Sequence, residues 1–167
     1  HRVLTKIEDL TRSGVEVHCL AGNHDYWTRE FLADALGMKI HRQAFERTVQ
    51  GRKVLLHHGD GLAENDGGYR LLRKVLRNRL AVWLYTWLHP DVGLALARSS
   101  SERSRRHTAA KEYGEQDGMA RYAEKRIAEG CDIVVMGHRH KPSRVESGKG
   151  VYINLGDWIT FNTYAVM

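Results

Sequence analysis

Three short apolar segments of the chain each run into a polar cluster that contains glycine. This repetition constrains the fold more than any other feature. The segments are residues 15–20, 52–57 and 131–136, and each has the composition of a β-strand. In α/β sheets the loops beyond the carboxyl ends of the strands bind ligands. The pattern therefore predicts an α/β fold with one site built from three loops: Gly22-Asn23-His24-Asp25, His58-Gly59-Asp60 and Gly137-His138-Arg139-His140.

Helical and further strand patterns fill the rest of the chain. Apolar residues at three- and four-residue spacing predict helices over residues 4–10, 27–36, 71–88 and 114–129. Residues 39–49 and 52–57 are predicted to pair as a hairpin that turns at Gln50-Gly51. Two more strands are predicted near the end of the chain, over residues 151–155 and 158–167.

The composition is that of one globular domain. The chain has 167 residues, of which 42% are hydrophobic and 28% charged, so it is long enough to bury an ordinary core. No apolar run approaches the roughly 18 residues that a membrane-spanning helix needs. Cys19 and Cys131 are too few for a secreted disulfide scaffold, which favours a reducing compartment and a cytoplasmic location.

The positive charge is concentrated in one segment. The net charge is +6, and residues 67–107 hold nine basic residues against two acidic ones, or +7, which leaves −1 for the remainder. The same segment carries an apolar stripe at helical spacing up to Pro90, and a second helical stretch runs to about Arg106. Either the stripe packs against the body and the basic face is solvated, or the segment binds an anionic partner. The stripe consists of Leu72, Val75, Leu76, Leu80, Trp83, Leu84, Trp87 and Leu88.

The three polar clusters contain residue types that bind divalent metals. Imidazole nitrogens together with an amide oxygen suit Mn²⁺, Fe²⁺ or Zn²⁺. The histidines at positions 138 and 140 are two residues apart, so in a loop both can face one cavity. Two metals side by side can polarise phosphoryl oxygens and stabilise an in-line displacement. The three clusters together are therefore expected to form a metal site.

In this order the clusters resemble the later motifs of the calcineurin-like metallophosphoesterase superfamily. The resemblance implies an α/β (α+β sandwich) fold with two mixed sheets flanked by helices. It implies two divalent ions, with Mn²⁺ expected and Fe²⁺ or Zn²⁺ as alternatives. Asn23, His58 and His138 would bind one ion and His140 the other, while His24 would be the catalytic histidine, paired with Asp25. His57 is expected to pack rather than to bind metal.

The superfamily's first motifs, Asp-x-His and Gly-Asp-x-x-Asp, do not occur before Gly22. Residues 1–167 are therefore expected to form a single metallophosphoesterase domain that lacks its N-terminal part, with a helical lid insert at about 66–112. Such a chain is expected not to assemble a working dinuclear centre by itself. If it is the natural product, a binding protein with a vestigial site is an alternative to an enzyme.

Within the superfamily, the basic insert resembles that of the UDP-2,3-diacylglucosamine pyrophosphohydrolase family of the lipid A pathway. The resemblance implies cleavage of the pyrophosphate to UMP and 2,3-diacylglucosamine 1-phosphate. It makes Asp66, Tyr69, Arg98 and Ser101 candidates for contacting this acylated sugar nucleotide. A peripheral position on the inner membrane is expected, nucleic acid is not expected as a partner, and the oligomeric state is not indicated. The well-known branch of that family has arginine where His24 stands. The chain is therefore expected either to belong to a related branch with the same substrate or to be a phosphodiesterase or phosphatase of other specificity, acting on nucleotides or nucleic acid.

Overall fold

The computed structural model describes residues 2–22, 25, 30–62, 78–110 and 118–167. These residues form helices that flank two sheets. The helices are α1 (Arg2–Arg12), α2 (Phe31–Leu36), α3 (Arg79–Tyr85), α4 (Pro90–Ala110) and α5 (Gly118–Ala128). The strands are β1 (His18–Leu20), β2 (Lys39–His41), β3 (Phe45–Val49), β4 (Arg52–His57), β5 (Ile133–Met136), β6 (Pro142–Ser147) and β7 (Gly150–Leu155).

The larger sheet has five strands in the order β3-β4-β5-β7-β6. Its three central strands are parallel, and an antiparallel partner closes each edge. The predicted hairpin between β3 and β4 is confirmed, with Val49 opposite Arg52. Gln50 (φ 49°) and Gly51 (φ 75°) are both left-handed, as a two-residue hairpin turn requires. The mixed sheet confirms the predicted α/β class.

Residues 39–41 do not belong to this hairpin, which corrects the prediction for 39–49. They form β2, which pairs in parallel with β1 in a separate two-stranded sheet. The Lys39 amide donates to Val17 O at 2.9 Å, and the Ala21 amide donates to His41 O at 2.8 Å. The backbone groups of β2 are thus paired with β1, and a bend at residues 42–43 separates β2 from β3.

The prediction of a strand over residues 158–167 is wrong. The Asp157 carboxylate oxygen Oδ1 accepts backbone N–H groups from Ile159, Thr160 and Phe161, which curls this part of the chain into a turn. Trp158 Nε1 then donates to Thr163 O at 2.8 Å. A side-chain acceptor that captures three amides in a row competes with a strand ladder for the same groups.

Helix α5 packs on the central strands and forms the core of the larger sheet. Its buried residues Met119, Ala123 and Ile127 recur every four positions, so they share one face of the helix. On β5 the side chains of Val134 and Met136 are 0% and 1% exposed, whereas Ile133 and Val135 are half-buried. Leu55, Cys131 and Tyr152 complete this cluster.

The described part of the basic insert consists of α3 and α4. Asn78 caps α3 by accepting the Leu80 amide at 2.8 Å, and Tyr85 Oη donates to Gly93 O at 2.7 Å, which joins the two helices. Pro90 does not end the first helix, because α3 already ends at Tyr85. It is the first residue of α4, where its missing N–H costs nothing, and α4 extends to Ala110. No helix in the described ranges is long and apolar enough to cross a membrane.

An exposed ion-pair cluster joins the small sheet to β3. Glu16 contacts Lys39 and accepts from Arg47 Nη2 at 3.0 Å, while the rings of His18 and His41 are hydrogen-bonded at 2.7 Å. Hydrogen bonds from Lys39, Arg47 and His18, in that order of size, lower the pKa of Glu16 from 4.5 to about 2. The Glu16 carboxylate is therefore ionised far into the acid range in the folded chain.

This lowered pKa predicts a defined acid sensitivity. The stabilising contribution of Glu16 is fully present above its unfolded pKa of 4.5 and is lost as the pH falls towards the folded pKa of about 2. Urea unfolding should show that Glu16→Gln is less stable than the wild type at pH 7, and that the difference shrinks between pH 4.5 and 2. Salt at about 1 M should reduce the difference at pH 7, because the cluster is exposed. Identical pH profiles for the two proteins would refute the assignment.

Candidate metal centre

The second and third predicted loops meet because their strands are neighbours. Strands β4 and β5 are parallel, with His57 opposite Met136, so the residues that follow leave the same edge of the sheet. The Gly137 amide donates to His58 O at 3.1 Å. The rings of His58 and His138 lie edge to face, with centroids 5.2 Å apart and planes at 68°. Two of the predicted ligand imidazoles are thus brought together.

The first loop reaches the same place through Gly22. A Cβ at this position would lie 2.6 Å from Cε1 and 3.0 Å from Nε2 of His58, so the backbone of Gly22 lies directly against that ring. The Gly22 amide donates to Asp25 Oδ2 at 2.8 Å. The described residues of the first cluster therefore lie beside the second, which in turn meets the third. Asn23 and His24 lie outside the described residues, so their roles, and that of Asp25 as partner of His24, stay predictions.

Gly59 lets the second loop pass between the core and His138. It is left-handed (φ 105°), and a Cβ there would lie 2.4 Å from Met119 Cε and 3.2 Å from His138 Cβ. His57 precedes this turn. Its Nδ1 accepts the Gly59 amide at 2.7 Å, and its ring contacts Tyr122. These contacts agree with a packing role for His57, which stays a prediction.

His138 and His140 both adopt the left-handed conformation, with φ values of 66° and 58°. This conformation costs about 1–3 kcal/mol for each non-glycine residue, and such strain is concentrated at functional sites. The structure brings His138 to His58. It brings His140 to Asp157, whose Oδ2 lies 3.5 Å from His140 Nδ1.

Two residues to which the sequence patterns assigned no role hold the loop of residues 137–140, called here the histidine loop. Asn154, at the end of β7, is 2% exposed; its Nδ2 donates to Gly137 O at 2.7 Å, and its Oδ1 accepts the Gly156 amide at 3.1 Å. Asp157 follows it. Backbone amides, that of Thr160 foremost, lower the pKa of Asp157, with a smaller effect from His140. Asn154-Leu155-Gly156-Asp157 is a fourth polar cluster at a strand end, so the signal used for the other three would have found it.

The donor set suits a divalent ion. His58 and His138 present two imidazoles side by side, and Gly22 leaves no space for a side chain between its backbone and His58. Imidazole nitrogens are good ligands for Mn²⁺, Fe²⁺ and Zn²⁺. Within the described ranges, no group of three or more His, Cys, Asp or Glu side chains is placed to hold a metal. The third predicted ligand of this ion, Asn23, lies outside those ranges.

The predicted substrate contacts are only partly described. Arg98 is exposed and Ser101 is half-buried on α4, and their spacing of three residues places them on one helix face. Asp66 and Tyr69 lie outside the described residues. Nothing in the structure tests the role of these four residues, which stays a prediction.

The α/β fold and its convergent histidine loops define a metallophosphoesterase. The chain belongs to the calcineurin-like phosphoesterase family, whose model matches residues 1–142, and this confirms the resemblance seen in the sequence. Membership of this family implies divalent metal ions and hydrolysis.

The names of its curated relatives are more specific than the family. The chain is 33% identical to a UDP-2,3-diacylglucosamine hydrolase of Porphyromonas gingivalis, over 99% of this chain and 70% of the relative. It is 31% identical to a hydrolase of the same name from Pseudomonas putida strain F1, over 89% of this chain and 64% of the relative. It is 26% identical to one from Aeromonas salmonicida, over 95% of this chain and 64% of the relative. The chain thus spans about two thirds of the length of these relatives.

Proposed function

We propose that the protein, extended to the length of its relatives, hydrolyses UDP-2,3-diacylglucosamine. Water would cleave the pyrophosphate and release UMP and 2,3-diacylglucosamine 1-phosphate. The observation that carries the hydrolytic part is the convergence of His58, His138 and Gly22 beyond the ends of parallel strands. The names of the relatives support the choice of substrate.

In this proposal two divalent ions, with Mn²⁺ expected, occupy the site. His58 and His138, together with Asn23, would hold one ion, and His140 would contribute to the other. Bound divalent ions polarise phosphoryl oxygens and lower the pKa of water. His24, paired with Asp25, would donate a hydrogen bond to the phosphate or the leaving group.

The exposed apolar surface of α3 and α4 supports an acylated substrate. Patches of this kind on a folded protein mark interaction sites, and two acyl chains need an apolar surface beside cationic groups. Arg98 lies on the same helix pair, and its planar guanidinium suits phosphate. The exposed apolar side chains of this helix pair are Leu80, Trp83, Leu84, Trp87, Leu88, Val92, Leu94 and Leu96. The first five belong to the stripe, and their exposure argues against the alternative that the described part of the stripe packs against the body.

The same surface supports a peripheral position on the cytoplasmic side of the membrane that holds the substrate. The Trp83 and Trp87 rings contact each other edge to face, and both are exposed, at 47% and 74%. Tryptophan is favoured at the water–membrane boundary, where an amphipathic helix can lie on anionic lipid. Flotation with vesicles of about one third anionic lipid tests this part. A Trp83→Ala, Trp87→Ala double variant should float less than the wild type.

A substrate comparison tests the proposed reaction. With Mn²⁺ present, the extended protein should release UMP from UDP-2,3-diacylglucosamine and turn over UDP-N-acetylglucosamine, which lacks both acyl chains, at least about tenfold more slowly. A single-stranded polynucleotide serves as the competing substrate. Preferred cleavage of the polynucleotide, with binding that weakens steeply as salt increases, would favour the alternative specificity. If none of the three substrates is turned over with metal present, the proposal that the protein is an enzyme is contradicted.

A further inference from the structure

The environment of His140 Nδ1 is unusual for a buried polar atom. This nitrogen is buried and has no hydrogen-bond partner within the part of the chain that the structure describes. A carboxylate oxygen, Asp157 Oδ2, lies 3.5 Å away, a few tenths of an ångström beyond ordinary hydrogen-bond distance. Leaving a buried ring nitrogen unpaired is costly, so a proton on Nδ1 directed at this carboxylate is the favourable arrangement.

The orientation of the Asp157 carboxylate is fixed from its other side. Its Oδ1 accepts the backbone amides of Ile159, Thr160 and Phe161 at 3.1, 2.7 and 3.2 Å. The second oxygen, Oδ2, is therefore the one that faces the imidazole. The side chain is 10% exposed, so water competes little for this oxygen.

The same strand end also holds the backbone of the histidine loop. Asn154 Nδ2 donates to Gly137 O, at the beginning of the loop, while Asp157 lies against the ring of His140, at its end. Both ends of the left-handed turn that carries the two histidines are thus contacted by one four-residue segment. A strained loop keeps its conformation only when its surroundings determine it in this way.

We propose that Asp157 is a positioning residue for His140, holding the proton on Nδ1 so that Nε2 keeps the lone pair with which a divalent ion is bound. A metal-binding histidine generally donates its other ring N–H to a carboxylate, carbonyl or water, and this partner sets the tautomer. The metal role of His140 belongs to the proposed function, but the tautomer is a property of the metal-free chain.

If the proposal is correct, the substitution Asp157→Asn gives His140 the opposite tautomer. The asparagine oxygen is expected to stay on the three backbone amides, which places the Nδ2 amide protons against His140. Nδ1 must then accept, and the ring proton moves to Nε2, where it blocks metal binding. The ring ¹⁵N shifts of ¹⁵N-labelled chain at about pH 9, where imidazole is neutral, report the tautomer directly.

The wild type should show protonated Nδ1 at His140, and Asp157→Asn should show protonated Nε2. Asp132→Asn is the matched control, because Asp132 Oδ2 also accepts a backbone amide, that of Lys53, and the substitution is the same. It should leave the His140 tautomer unchanged. Protonated Nε2 in the wild type, or the same tautomer in the wild type and Asp157→Asn, would overturn the proposal. The tautomer of His140 in the wild type tests the proposal even if the variant does not fold.

Metal affinity separates this proposal from the proposed function. In the extended protein, Asp157→Asn should weaken Mn²⁺ binding by about 10–100-fold, the usual effect of removing such a partner. A change of tautomer in a protein that binds no metal would support the positioning role and contradict the metal centre. Unchanged Mn²⁺ affinity despite a changed tautomer would show that His140 is not a ligand.

Discussion

Replacing His138 by alanine is expected to lower kcat/KM of the extended protein for UDP-2,3-diacylglucosamine by about a hundredfold or more. The variant lacks one of the two imidazoles that the structure places together, His138 and His58. A bound metal contributes several kcal/mol of transition-state stabilisation, and each 1.4 kcal/mol corresponds to a factor of ten. Release of UMP at a fixed Mn²⁺ concentration measures the loss.

The matched control is His41→Ala. This histidine also makes ring contacts, with His18 and Phe45, but it lies on the small sheet and outside the three loops. It should keep activity within about threefold of the wild type. Full activity of His138→Ala, or an equal loss in both variants, would contradict the assignment of His138 to the metal centre.

Replacing Met136 by alanine is expected to lower the free energy of unfolding by about 2–5 kcal/mol. Met136 is 1% exposed and belongs to the buried cluster beneath α5, so its removal leaves a cavity in a close-packed core. It is also the last residue of β5, immediately before the histidine loop. Urea unfolding followed by circular dichroism measures the effect.

Met167→Ala is the same substitution at an exposed position, where the side chain is 48% exposed. It should change the free energy of unfolding by less than about 0.5 kcal/mol. If Met136→Ala is no more destabilising than Met167→Ala, Met136 does not pack in the core as the structure shows.

The parts of the fold that the sequence predicted well depend on local signals. Gln50-Gly51 between two segments of strand composition specified the β3–β4 hairpin. The strand-end clusters at His58 and His138 were recognisable because residues of the same type recur at equivalent positions. Neighbouring parallel strands end at the same edge of the sheet, so the meeting of these clusters could be predicted from the order of strands and loops.

Most of the parts that the sequence predicted poorly depend on contacts distant in sequence, and the turn after Asp157 is a local exception. Nothing near Lys39 shows that β2 pairs with β1 rather than extending β3. The apolar residues after Asp157 have the composition of a strand. The Asp157 carboxylate accepts their backbone amides instead, so these amides are not available to a strand ladder. The contact between Asp157 and His140 joins residues from the ends of two different strands, and it becomes visible only when β7 is placed beside β5.

The parallel pairing of β4 with β5 makes the proposed metal centre depend on strand alignment. A shift by one residue would move one loop by about 3.3 Å along the strand and turn its side chains to the opposite face. His58 and His138 would then separate, so an ion held by both would bind only the correctly aligned sheet. By mass action, such an ion would selectively stabilise that alignment, and metal supplied during folding should raise the yield of native protein.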